Sequence, residues 1–528
     1  RDRRSHSGRR HMSTERSDHV TERSDHVTER SEPAPELLAE EEQQPWLRLD
    51  KRMLLVHPVN EAVKVLPVLL VSFILGSQSG NHLWGLIIVA VVVVFAILRW
   101  FTTSYRIGPV HVQLRTGVFQ KKLLSVPRSR IRSVDVEAGV LHRVLGLSIL
   151  RIGTGQQAGK GEKFELNALD SKAVPALREQ LLETVTRSPR PVDAPPPVET
   201  EIAHWRTSWV RFAPFSFTGV VTIAAAVGIL FQYGFGERIT ESSVVADSID
   251  SAERFGIALV IVVGLLILLI VASLFACARY LIAYGNLSVT DDGTRLHVAH
   301  GLLRTQSTTL DRKRLRGTSL SEPLLLRIAK GATLDAIMTG VSAEKKESSL
   351  LLPQAPAAEA RRMMTTVLGD AGLHADAQKP LQSHGPAARR RRYTRAVGPV
   401  VMLGAGLAVA RALGAPIPTI AWLAAAIVLV GAVFVAWDRY RGLGHAVLPG
   451  WLITQHGSLD RTRHSLEAAG IIGWTVRQTF FQRRAGVATI IAATPAGVGH
   501  YEVLDVPADQ AWALVEAVTP GAGDKWVR

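Results

Sequence analysis

Residues 105–153, YRIGPVHVQLRTGVFQKKLLSVPRSRIRSVDVEAGVLHRVLGLSILRIG, decide the fold. They follow an apolar block ending in Leu98-Arg99-Trp100-Phe101, and their pattern returns twice. Gly117 is matched by Gly301 (301 − 117 = 184) and by Gly457 (457 − 117 = 340). At the same offsets Ile131 meets Leu315 and Ile471, and Arg143 meets Arg327 and Arg483. Three features that keep two fixed spacings mark an internal repeat, and the repeat governs the architecture.

The copies also read alike physically. Val110–Leu114 alternates around a β-branched centre and ends at Arg115-Thr116-Gly117, after which Val118 and Phe119 resume the apolar pattern. That is strand, glycine turn, strand. Ser125–Val136 alternates again, with Val126, Ile131, Val134 and Val136 apolar and Arg128, Arg130, Arg132 and Asp135 between them. Leu147–Ile152 is a further strand-like run.

These residues resemble the bacterial pleckstrin-homology-like family bPH2. The resemblance rests on Tyr105, on Gly117-Val118-Phe119, on Val126-Pro127-Arg128-Ser129-Arg130-Ile131-Arg132-Ser133-Val134 and on Leu141–Leu147. Copy two keeps Gly301 and Asp311–Leu315 but departs at Pro323 and Lys330. Copy three keeps Gly457, Arg483 and Gly486, while Glu467-Ala468-Ala469-Gly470 replaces the Pro-Arg-Ser-Arg run. With its paired apolar blocks the layout resembles the YdbT-type family of membrane proteins. The resemblance implies a small β-barrel capped by a helix, set on membrane hairpins, with no established enzymatic activity.

The chain has 528 residues, 47% of them apolar, and a formal charge of +15. With the apolar residues gathered in blocks, that charge reads as the Lys/Arg bias of cytoplasmic membrane flanks rather than as nucleic-acid binding. One cysteine, Cys277, excludes a disulfide within the chain and a Cys-based metal cage.

The expected order is as follows. Residues 1–45 form a polar, disordered tail in which Thr-Glu-Arg-Ser-Asp-His-Val occurs twice. A first transmembrane hairpin spans 59–101 and a first bPH2 domain 102–187, closed by a helix with Val174, Leu177, Leu181 and Val185 on one face. A proline-rich linker (188–204) precedes the second hairpin (205–280) and the second domain (281–369). A second linker (370–392), the third hairpin (393–438) and the third domain (439–520) complete the chain. The fold class is thus an α+β membrane protein with six transmembrane helices in three hairpins and three PH-like β-barrels, each with a C-terminal helix. The basic flanks and the acidic segment 237–254 place the domains on the cytoplasmic side of a cell (inner) membrane.

No catalytic motif, metal spacing or cofactor signature is visible. His111, His142, His297, His300, His445, His456 and His464 are scattered along the chain, and the Gly-rich run at 153–161 lacks the phosphate-loop order. Two basic groups stand out. Arg389, Arg390, Arg391 and Arg392 precede an apolar run and read as topology anchors. Lys121, Lys122, Arg128, Arg130 and Arg132 form the candidate anionic-lipid contact, the three arginines sharing one side of a strand by period two. The expected function is non-enzymatic: a membrane scaffold docking proteins or lipids, in envelope stress or defence. A transporter or lipid-handling bundle is the alternative. Expected partners are membrane lipids and another membrane protein or a second copy, with no nucleic acid and no cofactor.

Overall fold

The computed structural model describes residues 35–56, 100–117, 121–131, 133–153, 164–182, 199–215, 257–340, 349–369 and 381–522, with Val94 and Leu98 before them. The chain begins with α1 (Pro35–Gln43) and β1 (Leu47–Arg48). Copy one runs β2 (Ser104–Ile107), β3 (His111–Thr116), β4 (Lys122–Pro127), a 3-10 turn (Arg128–Arg130), β5 (Ser133–Ala138), α2 (Val140–Val144), β6 (Leu147–Gly153), β7 (Phe164–Asp170) and α3 (Val174–Leu182). Copy two is entered through β8 (Thr200–His204), a 3-10 segment (Thr207–Phe215) and α4 (Ile257–Tyr284). It continues β9 (Ser288–Asp291), β10 (Arg295–His300), β11 (Thr305–Asp311), a 3-10 turn (Arg312–Arg314), β12 (Leu315–Pro323), α5 (Leu324–Ile328), β13 (Gly331–Met338), β14 (Leu350–Pro356) and α6 (Ala357–Leu368). Copy three follows α7 (Gly385–Ala412) and α8 (Thr419–Arg441) with β15 (Gly444–Leu448), β16 (Trp451–His456), β17 (Asp460–Glu467), a 3-10 turn (Ala468–Gly470), β18 (Gly473–Arg477), α9 (Phe480–Ala485), β19 (Val487–Ala493), β20 (His500–Pro507) and α10 (Ala511–Val518).

The offsets 184 and 340 carry through strand by strand from the second strand of each copy to the sixth. Gly117, Gly301 and Gly457 each follow the second of these strands at φ of 124°, 105° and 103°. A Cβ on Gly301 would run into the Arg304 carbonyl, and one on Gly457 into that of Asp460, so a side chain is excluded at both.

The expected alternating strand Ser125–Val136 is two strands. Pro127 holds φ −61° and ψ 133°, and the chain turns through a 3-10 step before resuming. β4 and β5 then belong to different sheets. Each copy is therefore two half-sheets facing each other across a core, rather than a closed barrel. In copy one Val112 and Leu114 from the first half meet Leu150, Ile152, Phe164 and Leu166 from the second, under Val174 and Leu181 of α3.

Each second half-sheet continues into the next copy. β5 pairs antiparallel with β11, giving one seven-stranded sheet in the order β7-β6-β5-β11-β10-β9-β8. β12 pairs with β17 in the same way, giving β14-β13-β12-β17-β16-β15. The two joints share one register: Asp135 faces Thr308 in the first, and the equivalent Ser319 faces His464 in the second. The repeated arginines cross these joints. Arg143 donates to the Leu302 carbonyl at 2.6 Å, and Arg327 to that of Ser458 at 3.4 Å.

The expected six transmembrane helices are not found. Among the described residues two helices are long and apolar enough to cross a membrane, α7 and α8. Within the expected second hairpin, part of the segment assigned to the membrane is protein core. Phe212, inside the expected second hairpin, is buried with Trp209 and Ala213 in copy two. Ala276 and Tyr280 of α4 join the same core, and the Tyr280 hydroxyl donates to the Gln354 carbonyl at 2.7 Å. The first expected hairpin and the acidic segment 237–254 lie largely or wholly outside the described residues. The tail also ends earlier than expected: α1 seats the buried Glu41 against the His111 backbone N–H (2.9 Å) and the Gln113 amide (3.0 Å). Likewise Thr200–His204, expected in a linker, pairs with β9.

α7 is locked to copy three by a pair of histidines. His384 Nδ1–H donates to the Leu504 carbonyl at 2.6 Å, which leaves its Nε2 to accept from His445 Nδ1–H at 2.7 Å. Burial pushes His445 down to about 4 and His464, in the same copy, down to about 3. Both values lie below the unfolded value of about 6.5, so at mildly acidic pH the unfolded chain binds more protons. Stability is therefore complete above about pH 6.5 and falls as the pH drops toward the folded values. The melting temperature of the purified protein should fall between pH 7 and pH 5, and H445Q should flatten that slope; an equally steep slope in H445Q would refute the assignment.

The joints predict an order among the three equivalent arginines. Arg327 also pairs with the buried Asp438 at 2.8 Å, whereas Arg483 has no partner among the described residues. Thermal melts should show R327A losing about 2 kcal/mol, R143A less, and R483A nothing measurable.

Candidate functional site

At the joint between copies two and three lies a cavity of about 550 Å³. Its walls come from separate parts of the chain: Arg211 from the 3-10 segment, Glu322 from β12, Arg327 from α5, Lys330 before β13, Ala357, Ala358 and Arg361 from α6, and Arg461 from β17. Only the inter-copy strand pairing brings Arg461 to the others.

The local structure explains each placement. Lys330 takes a left-handed φ of 61° to turn the chain from α5 into β13. Its carbonyl accepts from the Ala357 N–H at 2.9 Å, which seats the start of α6 on the cavity wall. Pro356 precedes α6 and supplies no side-chain cap, while Glu359 in the first turn pairs with Arg362 at 2.6 Å, so the remaining N–H groups of this turn lie at the positive end of the helix dipole.

The charge is one-sided. Arg361 pairs with Glu322 at 2.8 Å, and Arg327 and Arg461 share Asp438, each at 2.8 Å. Arg211 stacks on Phe212 at 4.9 Å, and neither it nor Lys330 has a carboxylate partner among the described residues. Burial, with Arg327 next to it, holds the Arg461 guanidinium below its usual value. Such a site attracts an anion rather than a cation. It also lies at the roots of apolar helices: Asp438 is in the last turn of α8, and the Arg211 segment packs on α4, with Cys277 Sγ 3.6 Å from the Val210 carbonyl.

Exposed apolar side chains surround the same elements. On α5 Leu325 and Ile328 are 45% and 69% exposed, flanking Arg327, with Lys330 in the turn that follows. Val140, Leu141 and Val144 occupy the equivalent helix of copy one, and Phe480 and Phe481 that of copy three.

The residues singled out in sequence are placed differently from one another. Lys121 and Lys122 are exposed at the start of β4. Arg128 is not on a strand face with them; it donates to the Pro109 carbonyl at 3.4 Å and to the Gln180 carbonyl, tying the 3-10 turn to α3. Its counterpart Arg312 does the same through Asp291 and the Val367 carbonyl. The side chains of Arg130 and Arg132 lie outside the described residues. Of the arginine run, Arg389 and Arg390 are exposed, while Arg391 and Arg392 pair with the buried Asp505, Arg392 at 2.8 Å. Two of the four are thus clamps between α7 and β20. The histidines form pairs that sequence spacing did not reveal, His384 with His445 and His456 with His464, whose rings are 5.7 Å apart. No metal-binding cluster occurs among the described residues. Arg361 and Arg461 carried no sequence signal; Arg211 stood out only as a basic flank of the second hairpin, Arg327 was marked by the repeat and Lys330 by its departure from the family pattern.

Comparison with known proteins agrees with the repeat. The family described as "Bacterial PH domain" matches three segments, residues 63–185, 224–369 and 403–519. The chain is also 21% identical over 320 residues to the UPF0699 transmembrane protein YdbT of Bacillus subtilis (strain 168), which covers 56% of this chain and 63% of the relative. No solved structure matches. Two of the described helices, α7 and α8, are long and apolar enough to cross a membrane, and the Bacillus subtilis relative is named a transmembrane protein. Because the three matched segments cover more than half of it, the chain belongs to the bacterial PH domain family.

Proposed function

We propose that the protein is a non-enzymatic membrane scaffold that holds anionic lipid headgroups in the cleft between its second and third PH-like copies, anchored by the helix pair α7 and α8 with its domains on the cytoplasmic side. The observation that carries this reading is a cavity lined by Arg211 and Lys330, cations with no carboxylate partner among the described residues, beside the first turn of α6 and next to an α5 that carries exposed apolar side chains. Leu325 and Ile328 suit the acyl boundary, while Arg211 and Lys330 suit phosphate oxygens at headgroup depth. An anion there neutralises charge that Glu322 and Asp438 leave uncompensated.

The test uses the full chain in mild detergent with short-chain phosphatidylglycerol or phosphatidylcholine titrated in by calorimetry. Phosphatidylglycerol should bind more tightly, and the difference should shrink as salt rises, since the Debye length at physiological ionic strength is about 8 Å. R211Q and K330Q should each weaken phosphatidylglycerol binding about fivefold, roughly 1 kcal/mol per juxtamembrane cation. Equal binding of the two lipids at low salt would overturn the reading.

A further inference from the structure

The chain of sheets has two free ends. Among the described residues β4 pairs with β3 alone, and β18 with β19 alone. In the repeat, β4 is the counterpart of β11 and β17, the strands that accept a neighbouring copy. β18 is the counterpart of β5 and β12, the strands that supply that neighbour. Among the described residues the array therefore has an unused accepting edge at β4 and an unused supplying edge at β18. Each open edge presents backbone N–H and C=O groups that a further strand would satisfy.

We propose that a second copy of this chain adds head to tail, its β4 lying antiparallel to β18 of the first and repeating the joint already made twice within the chain. The register follows from those joints. They set Glu137 opposite Gln306, and Ser321 opposite Thr462. Moved to the ends by the repeat offsets, the same spacing sets Arg477 opposite Lys122, Val476 opposite Leu123 and Gly473 opposite Val126.

Two further observations fit this partner. Leu123 is 56% exposed on an edge strand, where internal joints have Ser307 and Arg463; in the new joint it lies against Val476, on the margin of the third core. Arg483 repeats the position of Arg143 and Arg327, both of which cross a joint to a carbonyl, yet it is exposed with no partner among the described residues. A residue kept in register with no partner among the described residues is explained by a joint with a second copy.

The same register contains one repulsion. Arg477 and Lys122 carry like charges, and like charges directly opposite across a strand pair are unfavourable. Arg477 is partly offset by Glu502, 3.8 Å away. The association is accordingly weak, and it carries a charge signature that identifies the register.

The experiment uses the full chain in a C277S background, with two differently tagged forms expressed in one membrane. One form carries L123C and the other V476C, and a short bifunctional maleimide is added. A cross-linked product bearing both tags is expected only when the two forms are present together. In that system R477E alone, or K122E alone, should raise the yield about two- to fivefold by turning repulsion into attraction, and the double variant should return it to the starting level. R483A should lower the yield without shifting the melting temperature. The inference is overturned if the two-tag product is missing while both forms melt like the parent, or if neither single charge reversal changes the yield. It is also overturned if a chain bearing both cysteines links only within itself. None of these readouts depends on lipid binding in the cleft, so the two readings fail separately.

Discussion

Antiparallel pairing between copies, β5 with β11 and β12 with β17, is the constraint on which the rest of the structure depends. A half-sheet of three strands leaves a long edge of unpaired backbone groups, and an open edge has to be capped, covered or continued. Here it is continued. The copies are consequently not beads on a string. A cut at residue 187 would strip β11 from β5, so copy one is not a self-contained domain. The cleft at the second joint exists for the same reason, because β17 delivers Arg461 to a wall otherwise made by copy two.

Buried carboxylates gripped by two arginines recur wherever the array must hold its geometry. Glu137 lies between Arg151 of its own copy and Arg304 of the next. Asp438 lies between Arg327 of copy two and Arg461 of copy three, and Asp505 between Arg391 and Arg392 of α7. Such groups add little net stability over an apolar contact, since desolvation offsets much of the attraction. They are intolerant of misplacement, however, because a carboxylate parted from its arginines is left buried and unpaired. Pairing one strand against another leaves the register open to slippage by two residues; a carboxylate that must meet arginines from both copies removes that freedom.

Much of this was legible in the sequence, for a specific reason. Gly117, Gly301 and Gly457 sit at positive φ, where a Cβ would collide with backbone in two of the three, so their spacing is a backbone requirement and survives divergence around it. The spacing of Arg143, Arg327 and Arg483 was equally visible, but its meaning was not, because Leu302 and Ser458, which accept from the first two, belong to the next copy. Period-two reasoning failed across Pro127: the alternation of Ser125–Val136 is real, but the 3-10 turn splits it between two sheets and turns Arg128 inward. Counting apolar runs failed at Phe212 and Ala276 because a buried core segment and a membrane segment are equally uncharged.

The cleft was the least legible feature, and that too has a physical cause. Its cations come from five places in the chain, from Arg211 to Arg461, and their spacing in sequence does not reveal that they meet. What makes them a site is the absence of matching acid: Glu322 and Asp438 satisfy Arg361, Arg327 and Arg461, and nothing among the described residues satisfies Arg211 or Lys330. An excess of positive charge on a purely structural joint would weaken it by repulsion, with Arg327 already depressing the Arg461 guanidinium. The same excess is favourable where an external anion completes the balance, and at the roots of apolar helices the anion in steady supply is the lipid headgroup. In the proposed headgroup-binding role, the position of the cleft and its unbalanced charge would serve the same ligand.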